Sequence, residues 1–193
     1  MACIEQTPGA AKIRTHIYPV EHRAKQDTRH VMAKQDFKFH TPLRVRWMEC
    51  DAQGIVFFGA YMNYLEVAES EYFRNLGFSI YRLAEKGFFD TAVVQLNVEY
   101  KAPARVDDML DLFMRVTRIG NTSIAFQLEI YLSRQTQSDQ LLTTMETVHA
   151  GYDAASGGTR PVPNEIRGLV EHYESTGRVL PLDGFPALAQ AAA

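Results

Sequence analysis

Residues 37–47 read Phe-Lys-Phe-His-Thr-Pro-Leu-Arg-Val-Arg-Trp, an alternation of apolar and polar side chains that predicts a β-strand with one buried face. Pro42 has no amide proton to give to a central ladder, so this strand is expected at a sheet edge or at a bulge. A glycine-containing loop over residues 49–59 follows, and then the period changes. Tyr61, Leu65, Ala68, Tyr72 and Leu76 recur at helical spacing, which predicts an amphipathic helix of about four turns, closed where Gly77 can supply a left-handed C-cap. Tyr61, Met62, Tyr64, Leu65, Val67, Ala68, Tyr72 and Phe73 leave that helix only a narrow polar stripe. Most of its sides are therefore expected to be covered.

A shorter helical piece is predicted over 80–86, and strands over 92–100, 109–118, 123–133 and 141–152. Gly120-Asn121 marks a tight hairpin between the second and third of these. Pro163 stands in the first turn of a terminal helix over 164–175, with Asn164 or the preceding loop as its cap. A strand, a long helix and then four antiparallel strands amount to an α+β fold in which one sheet wraps a buried helix. Domain limits follow from the same pattern: an aperiodic, flexible arm over 1–35, one folded domain over 36–176, and a Pro- and Ala-rich, loose tail over 177–193. Met32 stands just ahead of the first strand as a possible translation start. A transit peptide is disfavoured by the acidic Glu5, Glu21 and Asp27.

At 193 residues the chain is long enough for one substantial core and short for two. A formal net charge of -3, with both signs dispersed, offers no broad basic face for nucleic acid. Cys3 and Cys50 form neither a CxxC pair nor a zinc spacing, which suits a reducing, cytoplasmic setting without a bound metal or other cofactor. No apolar run reaches the roughly 18 residues of a membrane span, so a soluble protein is expected. The sequence also lacks a Gly-x-Ser-x-Gly elbow, a phosphate-binding Gly-x-x-x-x-Gly-Lys loop and a Gly-x-Gly-x-x-Gly turn, which sets aside serine-hydrolase, P-loop and dinucleotide-binding readings.

The stretch from Trp47 through Glu49, Asp51, Gly54, Ile55, Val56, Phe57, Phe58 and Gly59 to Tyr61 joins the first strand to the long helix. A helix start presents unpaired N–H groups and a positive dipole end, suited to an oxygen that becomes negative during acyl transfer. The N–H of Phe58 or of Gly59 is the candidate donor. Gly54 lets the backbone turn tightly and approach a ligand, and Asp51 places a carboxylate beside it. An Asp ahead of a helix also commonly caps it.

In this stretch the sequence resembles the 4-hydroxybenzoyl-CoA thioesterase family of the hotdog superfamily. Asp51, Gly54, Ile55, Val56 and Tyr61 match the family pattern in order, and the likeness continues through Glu66, Val98 to Ala104, Asp108, Leu110 and Arg160 to Pro163. The resemblance implies a hotdog fold, an acyl-CoA substrate, a homodimer or homotetramer, and hydrolysis by Asp51 acting either as nucleophile or as general base. It also implies a site lined by Gly54, Ile55, Val56, Tyr61 and Glu66. Glu66 is the second candidate carboxylate, because some hotdog thioesterases carry theirs on the helix, and a Glu there is also commonly structural. Tyr61 reads equally as a core residue.

The Tol-Pal-associated thioesterases of the superfamily carry a His at the position of Phe58, so imidazole catalysis there is excluded. Phe57, Phe58 and Phe88 suit either an acyl pocket or core packing. His40 and His149 read as structural strand residues, and His16, His22 and His30 belong to the arm. Lys101, Arg105, Arg118 and Arg134 are candidates for the CoA phosphates. Two other readings compete with hydrolysis: a hotdog module that binds acyl-CoA or a protein without catalysis, and a hotdog dehydratase, which ordinarily needs a His beside the helix start.

Overall fold

The computed structural model describes residues 34–133 and 140–193. The arm expected over 1–35, beyond its last two residues, and Arg134 lie outside that range. A single 3-10 turn, Lys34–Asp36, leads into β1 (Phe39–Arg44). Then come α1 (Tyr61–Asn75), α2 (Ile80–Glu85), β2 (Asp90–Tyr100), β3 (Met109–Ile119), β4 (Ser123–Leu132), β5 (Gln140–Asp153), the short β6 (Gly158–Thr159), α3 (Asn164–Thr176) and α4 (Pro186–Ala192). The main strands form an antiparallel sheet in the order β1-β3-β4-β5-β2, with β6 on β5. The sheet curls around α1 as the hotdog arrangement requires.

The register explains the core. Leu112 stands opposite Ile130 and Leu128 opposite Met145, so the apolar set of each strand falls on one face. Against that face α1 buries Tyr61, Tyr64, Leu65, Ala68, Tyr72 and Phe73. Pro42 sits in β1, an edge strand bonded only to β3, where its missing N–H costs no ladder bond. The hairpin between β3 and β4 closes with the Gly120 N–H donating to the Ser123 carbonyl at 2.7 Å, and the Arg167 guanidinium of α3 donates to the carbonyls of Ile119 and Gly120.

Four expectations need correction. The alternation through residue 47 does not extend the strand: the chain leaves the sheet after Arg44 and turns into a 3-10 helix, Trp47–Glu49, with Trp47 85% exposed. The polar stripe of α1 is not narrow, since Asn63, Glu66, Arg74 and Asn75 are exposed and Met62 and Val67 only partly buried. One sheet covers one side of a helix, and on the other the described chain leaves Asn63, Glu66 and Arg74 exposed. Pro163 is not in the first turn of α3: it is the N-cap, with no side-chain bond to offer, so of the two expected caps it is the preceding loop that serves, and Asn164 is the first helical residue. The residues after Gly177 are not loose: α4 packs Leu188 at 0% exposure and Ala191 into the core.

Candidate active site

The loop between β1 and α1 is a tight antiparallel turn, with Cys50 bridged to Val56 and Ile55 to Arg105. The Asp51 N–H donates to the Ile55 carbonyl at 2.9 Å and the Gly54 N–H to the Asp51 carbonyl at 3.0 Å. Gly54 takes φ +72°, with nothing near the position a Cβ would occupy; backbone conformation, not crowding, is what selects glycine there. The exposed Asp51 carboxylate accepts the Gln53 N–H at 2.8 Å through Oδ1, and Oδ2 has no bond to the described residues.

Immediately after this turn a 3-10 segment, Phe58–Ala60, runs into α1. The first bond of that helical stretch runs from the Ala60 N–H to the Phe57 carbonyl at 2.8 Å. The N–H groups of Phe58 and Gly59 therefore precede the first closed turn, the position of orphan donors at a helix start. At Gly59 a Cβ would lie 2.6 Å from the ring of the half-exposed Phe57, so a side chain there would require that ring to shift. Tyr100 on β2 holds the segment by donating its hydroxyl to the Phe58 carbonyl at 2.9 Å. Asp51, Gly59, Ala60 and Asn63 line one hollow of about 570 Å³, so a carboxylate and a helix start open onto the same space.

Sequence reasoning missed the residue that fixes this loop. Glu49, only 6% exposed, accepts the Arg46 N–H at 2.8 Å, the Arg46 Nε–H at 2.7 Å and the Tyr64 hydroxyl at 2.8 Å. Its own carbonyl takes the Phe57 N–H at 2.9 Å. Both ends of the loop are thereby tied to one buried residue, Arg46 through the Glu49 carboxylate and Phe57 through its backbone carbonyl. Burial would raise the pKa of Glu49, but the Arg46 amide and guanidinium and the Tyr64 hydroxyl together hold it below the ordinary carboxylate range. Burial, then Glu49, pushes the Tyr64 hydroxyl far above its own. The Arg46-x-x-Glu49 spacing was the available signal, a charge pair one turn apart.

The other candidates divide. Ile55 is half-buried in its bridge to Arg105 and Val56 is buried. Tyr61 is a core residue: its ring packs edge-on against Tyr64 and Tyr100, and its hydroxyl accepts the Ala104 N–H at 3.3 Å. Glu66 is exposed on the open side of α1, in the neighbouring hollow with Asn63 and Ser70. Arg105 stands beside the Asp51 turn, while Lys101 is ion-paired with Glu99 at 2.8 Å. Arg118 lies at the far end of β3, roughly 30 Å along the strand from Met109 at about 3.3 Å per residue. The basic candidates among the described residues do not converge on one patch.

No described helix is long and apolar enough to cross a membrane. Comparison with known proteins finds that the description "Thioesterase superfamily" matches residues 53–138, a span that opens at Gln53, just beyond Asp51. The chain is similar to "Acyl-CoA thioester hydrolase YbgC" of Escherichia coli O6:H1, 34% identical over 129 residues that make up 66% of this chain and 92% of that protein. It is likewise similar to "Acyl-CoA thioesterase YbgC" of Haemophilus influenzae, 30% identical over 141 residues, covering 72% and 98%. Among solved structures, the 4-hydroxybenzoyl CoA thioesterase from Pseudomonas sp. strain CBS-3 superposes with a TM-score of 0.61 at 21% identity, over 67% of this chain and 96% of that one, a likeness of fold.

Proposed function

The chain belongs to the thioesterase superfamily, and from that membership we propose that it hydrolyses an acyl- or aroyl-CoA to the free acid and CoA at the hollow between the Asp51 turn and the start of α1. The observation that carries this reading is the shared hollow. The ester carbonyl would sit with its oxygen toward the Phe58 and Gly59 N–H groups and its carbon toward Asp51. Asp51 then either attacks the carbon, forming an anhydride that water cleaves, or takes a proton from the attacking water. In both routes the departing thiolate, of pKa about 8.5 by analogy with a cysteine thiol, leaves without a general acid. The Asx bond from the Gln53 N–H holds Asp51 in one orientation and leaves Oδ2 for chemistry.

The active unit in this reading is a homodimer. β2 ends the sheet, and Val93, Val94, Leu96 and Tyr100 are exposed along it, an edge that a second copy's β2 would pair and cover. The open side of α1 would be closed by the same association. A cytoplasmic location is supported by the acyl-CoA substrate and by Cys50, which is a free thiol.

The test is CoA release, followed with a thiol reagent, from a panel of aliphatic and aromatic acyl-CoAs. Asp51→Asn should keep the wild-type circular dichroism and lose about a thousandfold or more in turnover. Retained turnover moves the chemistry to Glu66; no release by the wild type supports a non-catalytic acyl-CoA-binding module. In single-turnover hydrolysis in heavy-oxygen water, label in the Asp51 side chain identifies the nucleophilic route, since it arises only when water adds to the Asp51 carbonyl of the anhydride.

A further inference from the structure

The two candidate donors at the start of α1 belong to consecutive peptide units, and each unit is held from its carbonyl side. A trans peptide is planar, with its C=O and N–H directed to opposite sides, so a bond that fixes the carbonyl also fixes where the amide points. The Phe57 carbonyl accepts the Ala60 N–H at 2.8 Å, which sets the direction of the Phe58 N–H. The Phe58 carbonyl accepts the Tyr100 hydroxyl at 2.9 Å, which sets the direction of the Gly59 N–H. The first hold comes from backbone within the same turn. The second comes from a side chain of β2, 42 residues away in sequence.

Tyr100 is itself held in place. Its ring packs edge-on against Tyr61, with centroids 5.3 Å apart, and Tyr61 is buried at the first residue of α1. The Tyr61 hydroxyl in turn accepts the Ala104 N–H at 3.3 Å. The phenol that reaches the Phe58 carbonyl therefore stands on a stack anchored in the core. Burial raises the pKa of Tyr100, so its hydroxyl keeps its proton, and donates, throughout the neutral range. A hydrogen bond accepted at one end of a peptide also polarises the unit and makes the N–H at the other end a stronger donor.

We propose that Tyr100 is a positioning residue of the oxyanion hole: by holding and polarising the Phe58–Gly59 peptide through its carbonyl, it sets the Gly59 N–H as a second donor beside the Phe58 N–H. Tyr100 touches no reacting atom in this scheme and acts only through the peptide. The identification of an oxyanion rests on the hydrolase reading; the coupling of the Tyr100 hydroxyl to the Gly59 N–H rests on the peptide geometry.

Tyr100→Phe removes the hydroxyl and keeps the ring against Tyr61, so the fold should persist. With the best acyl-CoA of the panel its kcat should fall about tenfold at nearly unchanged KM, because an oxyanion donor acts on the charge that develops in the transition state. Replacing Tyr100 by 3-fluorotyrosine, a stronger hydrogen-bond donor of nearly the same size, should retain or exceed the wild-type kcat. A tyrosine that only packs would leave kcat unchanged in Tyr100→Phe, and that result overturns the proposal, as does a fluorotyrosine protein as slow as Tyr100→Phe. Amide nitrogen NMR on the intact chain keeps the inference separable from the hydrolase reading. A carbonyl that loses a hydrogen bond moves the nitrogen of its own peptide upfield, so Tyr100→Phe should shift the Gly59 nitrogen upfield and by more than the Phe58 nitrogen, whose peptide Ala60 holds. If the wild type hydrolyses no thioester, the hydrolase reading fails while this shift still decides whether Tyr100 governs the Gly59 N–H; an unmoved Gly59 nitrogen overturns the proposal whatever the kinetics.

Discussion

The buried Glu49 and the partly buried Glu174 are shifted in opposite directions, and their pH signatures differ in sign. Glu49 is held below its ordinary pKa by Arg46 and Tyr64 against the pull of burial, so it contributes stability above its unfolded value of about 4.3 that is lost as pH falls through the lower folded value. Glu174 of α3 accepts the Tyr72 hydroxyl at 2.6 Å and the Val116 N–H at 2.7 Å, yet burial outweighs these bonds and raises it. Its contribution is present below the unfolded value and is lost as pH rises through the folded one. In urea melts at about pH 4 and about pH 7.5, Glu49→Gln should lose more stability relative to wild type at the higher pH, and Glu174→Gln should lose less there than at the lower. Glu49→Ala, which strips Tyr64 and the Arg46 amide of their acceptor, should cost about 2–4 kcal/mol and slow turnover by loosening the Asp51 turn. Unchanged turnover in a destabilised Glu49→Ala protein would separate the anchor from the chemistry.

At the scale of elements, the clearest discrepancy between pattern and fold is α4. Phe185, Leu188 and Ala191 recur at helical spacing, but seven residues, Pro186–Ala192, are too few for a period to stand out from a Pro- and Ala-rich composition. The helix exists because α2 and α3 offer it a surface: Arg82 of α2 donates to the Ala193 carbonyl at 3.2 Å, and Leu188 is fully buried. Leu188→Ala should therefore cost about 2–5 kcal/mol and lower Tm by roughly 5–15 °C; a calorimetric Tm within a degree or so of wild type would show that α4 is only loosely docked. Strands were legible where alternation ran long, as in β3 and β4, whose expected limits differ from the observed ones by one residue. The first strand was overextended because a 3-10 turn keeps Trp47 in step with the pattern while pointing it outward. The Asp51 turn was legible because Gly54 and the helix start are local signals. Glu49 with Tyr64, and Glu69 with His149, were not, since each pair meets only after the sheet has curled around α1.

For the molecule as a whole, the described chain leaves two surfaces that one copy cannot satisfy: the β2 edge, with Val94 at 62% and Val93 at 57% exposure, and the open side of α1 with its hollows. Both face away from the core on the same flank, since Val93 of β2 and Glu66, Glu69 and Ser70 of α1 line one cavity. Pairing of two β2 strands would give the edge its missing hydrogen bonds and, in the same step, wall the hollows against water, which strengthens every electrostatic contact to a developing oxyanion. Association and turnover should then be coupled. Val94→Lys combined with Leu96→Lys places charge on the edge without touching Asp51 or the start of α1, so it should convert a dimer into a folded monomer by light scattering and depress kcat/KM by at least about tenfold. Wild-type activity per chain should fall in parallel when the protein is diluted through its dissociation constant. A variant that is monomeric yet fully active would show that the site is complete in one copy, and one that remains dimeric would place the contact elsewhere than β2.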